Sequence, residues 1–406
     1  MSSLSDKLRA LGVQVGASRH TLQTAKKSYT ADPQLGGRTL STVLGATYVI
    51  ETDYPAVDPL RSAPPALRWM SIWCGDERID RLTARDFVFL DTETTGLSGG
   101  AGTYAFLIGV GRFEDDHFHL TQFFMRDPAE EPALLVALEG YLTQCSALVT
   151  FNGKAFDVPL LTGRYTIHGW QNPLATLAHI DLLPLARRLW KDRLPSRTLG
   201  NLEYHILGIS RTAEDIPGWM IPEIYFEYLR SGETEQLRNV IYHNAMDVVS
   251  LAALFNHSAS LLTDPSAEAA QHDSDMVALA KLFESLGDPE AAIDLYRRGL
   301  ERDIPIELRL QAISKLALIY KRRRDFVAAR LLWESAVQYQ HIEACIELAK
   351  YYEHRQKDFR QALHWTETAI GILNAMQPLS QEQRLGLREL EHRKERLQRK
   401  ISARSW

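Results

Sequence analysis

Cysteine is scarce in this chain. Cys74, Cys145 and Cys345 stand far apart and form no CxxC, which argues against a disulfide frame or a cysteine zinc site and leaves reduced, structural thiols. Long apolar runs are missing as well: none approaches the roughly 18 residues of a membrane span, and the start, Met1-Ser-Ser-Leu-Ser-Asp-Lys7, lacks a signal-peptide core. The expectation is a cytoplasmic protein with no membrane partner. Positive charge is not in excess either, because 46 Lys and Arg face 51 Asp and Glu for a net charge of −5. A surface coated in positive potential is excluded, yet local basic patches can still hold phosphates, and carboxylates gathered around a metal would tilt the balance toward acid. What remains is an ordinary globular composition over 406 residues, long enough for two or three domains.

The most informative stretch is Phe87-Val-Phe-Leu-Asp91-Thr-Glu93-Thr-Thr-Gly96-Leu97. It reads as a short apolar strand that ends by placing Asp91 and Glu93 on one side of an extended backbone, since residues i and i+2 of a strand face the same way. Two carboxylates held so close raise each other's pKa unless a cation lies between them. Magnesium, a hard ion that takes carboxylate oxygens, water and phosphate, suits the pair.

Residues 1–80 read as an accessory segment packed on the remainder of the chain, with strands at Ala46–Thr52 and Leu67–Trp73 separated by the breaker Pro64-Pro65. From residue 81 to 262 the pattern sharpens. Strands at Phe87–Leu90, Thr103–Phe113 and His117–Met125 form an antiparallel meander, with a tight turn at Asp115-Asp116. A helix over 130–144 comes next, then a buried strand at Ala147–Phe151, a helix containing Asp157 and a strand at His179–Leu183. Three strands and then alternating helix and strand is the order of an α/β RNase H-like fold with a mixed sheet. The glycines Gly99, Gly100 and Gly102 do not form a dinucleotide loop, because they open a strand and not a helix.

Beyond about residue 266 the chain predicts continuous helix. Three stretches align on Asp288, Asp325 and Asp358, each followed four residues later by alanine, with a recurrence of roughly 35 residues. That pattern resembles tetratricopeptide-type helix pairs and makes 266–406 an all-α helical-repeat domain, which would bind a protein partner or buttress its neighbour. The basic clusters Arg187-Arg188, Lys191, Arg193 and Arg197, and Lys321 to Arg324, would either track phosphates or form solvated helix ends.

Two further motifs complete the chemistry. Val149-Thr-Phe151-Asn152-Gly-Lys-Ala-Phe156-Asp157 places an aspartate at a helix start, and Ile241-Tyr242-His243-Asn244-Ala-Met-Asp247 places His243 and Asp247 on one helix face. Together with the first motif, this order resembles the DEDD-type 3′–5′ exonucleases of the RNase H-like fold. DTETTGLSGGAGTYAFLIGVG, the stretch from Leu199 to Pro222 and the histidine–asparagine pair are similar to the YprB-type branch, whose members often carry tetratricopeptide-like repeats.

The resemblance covers about residues 80 to 260. It implies a two-metal phosphodiesterase in which Asp91 bridges two Mg2+ or Mn2+ ions, Glu93 and Asp247 complete the first, and Asp157 holds the second through water. It also implies that Thr94, Thr95 and Gly96 cradle a terminal nucleotide, that Leu97 wedges against a base, and that Phe151 and Asn152 line a single strand of DNA or RNA. The base departs from the family pattern, since Tyr242 and His243 have exchanged the places at which related branches carry histidine and tyrosine. Helix geometry favours His243 and an imidazole is the better proton acceptor, with Tyr242 the alternative. A catalytically silent nucleic-acid-binding module, a helical-repeat scaffold and a structure-specific endonuclease remain open at this point.

Overall fold

The computed structural model describes residues 35–55, 67–96, 102–114, 117–212, 214–265, 272–376 and 378–403. Leu97, the glycines at 99 and 100, Pro64-Pro65 and the turn at 115–116 lie outside the described residues. Seven strands make one mixed sheet: β1 (Arg38–Thr42), β2 (Gly45–Pro55), β3 (Phe87–Thr94), β4 (Ala105–Phe113), β5 (His117–Phe124), β6 (Ala147–Thr150) and β7 (Ala178–Asp181), in the order β1-β2-β5-β4-β3-β6-β7. The β3-β4-β5 meander is antiparallel, whereas β6 and β7 join it in parallel. Residues 38–55 therefore extend the sheet itself, because β2 pairs with β5 from Tyr48↔Phe124 to Pro55↔His117.

Alternation along β3 decides which helices cover which face. Phe87 and Phe89 face α1 (Arg68–Cys74), α4 (Leu182–Leu189) and the long α6 (Glu235–Thr263). Val88 and Leu90 face α2 (Glu131–Leu142), α3 (Asp157–Ile167) and α5 (Ile221–Ser231). By length and composition α6 is apolar enough to cross a membrane, with a hydropathy of 1.3, but 78% of that window is buried inside the protein. Its apolar side chains are the core of this domain.

Two of the expected strands need correction. Leu67–Trp73 is the helix α1, because Leu67, Met70 and Ser71 are buried at helical spacing and Gly75, in the left-handed region at φ 69°, closes it. The strand expected at His179–Leu183 stops at Asp181, whose side chain accepts the Leu183 N–H and starts α4.

Beyond residue 271 the helices pair as α7 (Asp273–Leu286) with α8 (Pro289–Leu300), α9 (Ile306–Arg322) with α10 (Phe326–Val337), and α11 (Ile342–Tyr351) with α12 (Phe359–Ala375). The recurring aspartates are the N-caps of the second helix in each pair: Asp288 accepts from Ala291, Asp325 from Ala328, and Asp358 from Arg360 and Gln361. The alanines one turn on, Ala292, Ala329 and Ala362, are fully buried; a larger side chain there would push the paired helices apart. A final helix, α13 (Gln381–Ser402), locks on through Arg393, Arg396 and Lys400, which surround the buried Glu353 carboxylate at 2.8–3.1 Å.

Candidate active site

Asp91 and Glu93 continue the face of Phe87 and Phe89, at the end of β3 where the apolar residues give out. Directly opposite Asp91 in register is Gly109, and opposite Gly109 is Gln122. Helix α6 comes down onto this bare patch with Asn244, which is 0% exposed. The Gln122 amide donates to Asn244 Oδ1 (2.9 Å) and to the Ile241 carbonyl (2.8 Å), which leaves Asn244 Nδ2 to donate to Asp91 Oδ2 at 2.9 Å.

The lack of a side chain at 109 is what admits this relay. A Cβ at Gly109 would lie 2.3 Å from Asn244 Oδ1 and 2.9 Å from Val248 Cγ2. Gly109→Ala is therefore expected to lower the unfolding free energy by about 1–3 kcal/mol and to loosen Asp91, read out by denaturant melts beside the wild type.

Asp157 opens α3, where the helix N-terminus favours an anion, and its Oδ1 accepts from the Thr92 hydroxyl at 2.5 Å. The loop that delivers it is held by Asp181, which accepts the Asn152 N–H at 2.7 Å and the Lys154 N–H at 3.2 Å. Asn152 takes the left-handed backbone at φ 68° to make that turn.

From α6, Asp247 and His243 point to the same place. Ligating atoms of Glu93, His243 and Asp247 lie within 4.8 Å of one another, with His243 Nε2 3.7 Å from Asp247 Oδ2. On its far side the imidazole is anchored by Asp215, at 2.6 Å from Nδ1. Arg211 threads between these groups, donating to Asp247 and Glu203 and, at 3.3 Å, to Asp215. Despite burial, which works against it, Glu203 and Asp247 hold that guanidinium firmly charged.

The carboxylates repel one another in this largely buried setting. Burial, then the charges of Asp247, Glu93 and Asp157, push Asp91 well above the usual range, with Asn244 pulling the other way. Burial, then Asp247 and Asp157, push Glu93 up to about 8. Burial pushes Asp157 up to about 6 against the Thr92 hydrogen bond, and it raises Asp247 against Arg211 and His243. Such a cluster is not fully anionic at neutral pH without a compensating cation. Its donors are carboxylate oxygens with one imidazole, a set that fits hard divalent cations such as Mg2+ or Mn2+.

Residues 88–259 match the family model of the RNase H superfamily. The chain is also 38% identical over 289 residues to the uncharacterized protein YprB of Bacillus subtilis, an overlap of 70% of this chain and 68% of that one. The chain belongs to that protein's family, and its residues 88–259 form an RNase H-like domain. Among solved structures it is similar to the family B DNA polymerase of Pyrobaculum calidifontis, with 16% identity and a TM-score of 0.34; the likeness covers 58% of this chain and 29% of the polymerase chain.

Within this RNase H-like domain, Asp91, Glu93, Asp157, Asp247 and His243 come together. Thr94 and Thr95 are tied to the backbone beside them, through Thr94 Oγ1 to the Gly96 carbonyl (3.0 Å) and Thr95 N–H to the Tyr104 carbonyl (3.0 Å). Phe151 is half-buried against the core and Asn152 turns the β6–α3 loop. Beside Asp157 it is Phe156 that stands 56% exposed. The Tyr242 hydroxyl accepts the Thr212 N–H at 3.2 Å.

The Arg211 clamp was not legible in sequence. Glu203, Arg211 and Asp215 lie on a π-helical turn and the loop after it, and only folding brings them to α6. The basic cluster that starts in the last turn of α4 is largely structural. Arg188 donates to the Lys281 carbonyl, Arg193 pairs with Asp275 at 2.8 Å, and Arg197 caps the Leu194 and Pro195 carbonyls. Lys321, Arg322 and Arg323 pair with Glu347, Glu284 and Glu290.

Proposed function

We propose that this chain is a metal-dependent 3′–5′ exonuclease that hydrolyses phosphodiester bonds at single-stranded DNA or RNA ends. The observation that carries the reading is the convergence of Asp91, Glu93, Asp157 and Asp247 from three separate elements, with a histidine anchored on its far side by a carboxylate. The 3′ polarity rests on the likeness of the motif order to DEDD exonucleases. Asp91, Glu93, Asp157 and Asp247 would hold two Mg2+ or Mn2+ ions, which supply Lewis acidity that acidifies a water and stabilises the leaving oxygen.

The protein's own part centres on the histidine. His243 Nδ1 lies 2.6 Å from Asp215 Oδ1 and 3.3 Å from Arg211 Nη1; with the ring proton given to Asp215, the Nε2 lone pair would face the acidic centre and accept a proton from the attacking water. Phe156, exposed beside Asp157, is the better placed aromatic for stacking a base, since Phe151 is engaged in the core. His243→Ala is expected to lower the single-turnover rate about 10²- to 10⁴-fold, whereas Tyr242→Phe leaves it near wild type. Equal losses in the two variants would remove His243 from the role of base.

The domain plan we assign is an accessory segment at 1–80, the nuclease at 81–262 and a tetratricopeptide-like array at 266–406, in a cytoplasmic protein. A cavity of about 280 Å³ between α9, α10 and α11, lined by Ile313, Leu318, Trp333 and His341, would admit a protein segment.

One observation favours a second reading. Arg211 already supplies a cation to Asp247 and Glu203, as a catalytically silent nucleic-acid-binding module would require. The deciding experiment digests matched DNA and RNA strands, blocked at the 3′ or the 5′ end, in Mg2+ or Mn2+. Shortening only from free 3′ ends supports the exonuclease, internal cuts identify an endonuclease, and binding without turnover identifies the silent module.

A further inference from the structure

We propose that Glu114, His117, His119 and Asp53 form a second metal site, structural in role and selective for a divalent transition ion of the zinc class. It lies on the opposite sheet face from the acidic centre. On β5, Phe118, Leu120 and Gln122 point toward α6, so His117, His119 and Thr121 point the other way. His117 and His119 are two residues apart and share that face. Asp53 on β2 stands directly opposite His119 in register, the closest cross-strand position available. Glu114 arrives from the end of β4.

The donor set and spacing are those of a metal site more than of an ion pair. Ligating atoms of Asp53, His117 and His119 lie within 4.8 Å of one another. His117 Nε2 is 3.6 Å from Asp53 Oδ1 and 3.4 Å from Glu114 Oε2. Bond lengths of about 2.0–2.1 Å in a tetrahedral zinc site put neighbouring donors roughly 3.3–3.5 Å apart. His119 Nδ1 is closer, in a 2.6 Å hydrogen bond to Asp53 Oδ1; a bound ion would take the place of that proton. Two imidazoles and two carboxylates suit Zn2+ or its Co2+ surrogate better than Mg2+, which prefers oxygen alone.

Support from behind the donors makes this a built site. The Thr121 hydroxyl meets His119 Nε2 at 3.2 Å, which leaves Nδ1 turned inward. Arg112 donates to Glu114 Oε1 at 3.0 and 2.8 Å and so leaves Oε2 for the ion. Arg112 is itself held by Gln144 Oε1 at 2.7 Å and lies over the Tyr141 ring. Coordination there would staple β2, the start of the sheet extension, to β4 and β5, so binding would stabilise the folded state by linkage.

The test is a Co2+ titration of the whole protein, followed by displacement with Zn2+. Expected is an intense visible d–d band of tetrahedral Co2+ that saturates at one equivalent, is bleached by Zn2+, and accompanies a rise in thermal midpoint. The double variant His117→Ala/His119→Ala should lose the band and the midpoint shift and bind at least tenfold more weakly. Asp53→Asn, a near-isosteric change at a side chain 64% exposed, should weaken the band with the metal-free midpoint unchanged, which separates loss of a ligand from loss of fold. A wild type without the tetrahedral band, or a band that survives in the double variant, overturns the proposal. Because Asp91→Asn leaves all four donors in place, its spectrum should match the wild type's; a band lost there would assign the signal to the acidic centre and overturn this site while leaving the nuclease reading intact.

Discussion

Asp91→Asn is expected to abolish metal-dependent cleavage of a 5′-labelled oligonucleotide, by at least about a thousandfold, and at the same time to make the metal-free protein more stable. The two effects have one origin. Asparagine keeps the shape and can still meet Asn244, but it removes a charge that Asp247, Glu93 and Asp157 all oppose. The carboxylate that would hold the cations is a liability when they are absent.

The pH dependence gives the sign. Glu93 is held up at about 8 from its ordinary 4.5, so between those values the unfolded chain releases a proton that the folded chain keeps. The contribution of Glu93 to the stability of the metal-free protein is therefore full below about pH 4.5, falls as pH rises, and is lost above about 8. Asp157 acts in the same sense between 3.8 and about 6. Chelator-treated wild type should melt lower at pH 8 than at pH 5, and saturating Mg2+ should reverse most of that loss. In Asp91→Asn the slope should shrink, by on the order of 1–3 kcal/mol over the window. A variant that cleaves like the wild type would sink the nuclease reading; a metal-free melt that moves down would sink the electrostatic account.

The acidic centre could be read in the sequence because each of its parts is local. A strand that ends in Asp91-x-Glu93, a helix that starts at Asp157 and an i, i+4 pair on α6 are all short patterns with fixed periodicity. The same holds for the repeat aspartates, which turned out to be N-caps. What escaped depends on contacts between distant segments. Arg211 meets Asp247 across 36 residues and Gln122 meets Asn244 across 122, and no periodicity encodes either. Glu203 carried a weak signal, because a glutamate in an otherwise apolar turn needs a partner; it is 1% exposed and finds one in Arg211. Leu67–Trp73 reads as a strand because two tryptophans and an isoleucine carry strand propensity, while packing against the core imposes the helical period.

Cutting the chain at residue 265, where composition alone places a boundary, is expected to cost far more than removal of a separate module should. One continuous apolar cluster runs from Phe87 and Phe89 through α4 and α6 into α7, where it takes in Met276, Val277, Leu279, Ala280, Leu282 and Phe283. Phe283 meets Trp69 of α1 edge-on at 5.0 Å, Asp275 binds Arg193, and Lys281 reaches Asp192 at 3.4 Å. Each large apolar side chain fully buried is worth about 1.5–3 kcal/mol, so stripping α7 from α1 and α4 removes an amount comparable to the roughly 5–15 kcal/mol by which domains are stable. The 1–265 fragment should aggregate or melt without cooperativity. A fragment ending at residue 302 keeps α7 and its partner α8 and should retain a cooperative melt, at a lower midpoint than the full chain. Equal behaviour of the two fragments in circular dichroism melts would show that α7 belongs to the repeats alone. The expected contrast would make α7, the first helix of the array, the one through which the array shares its apolar core with the preceding domain.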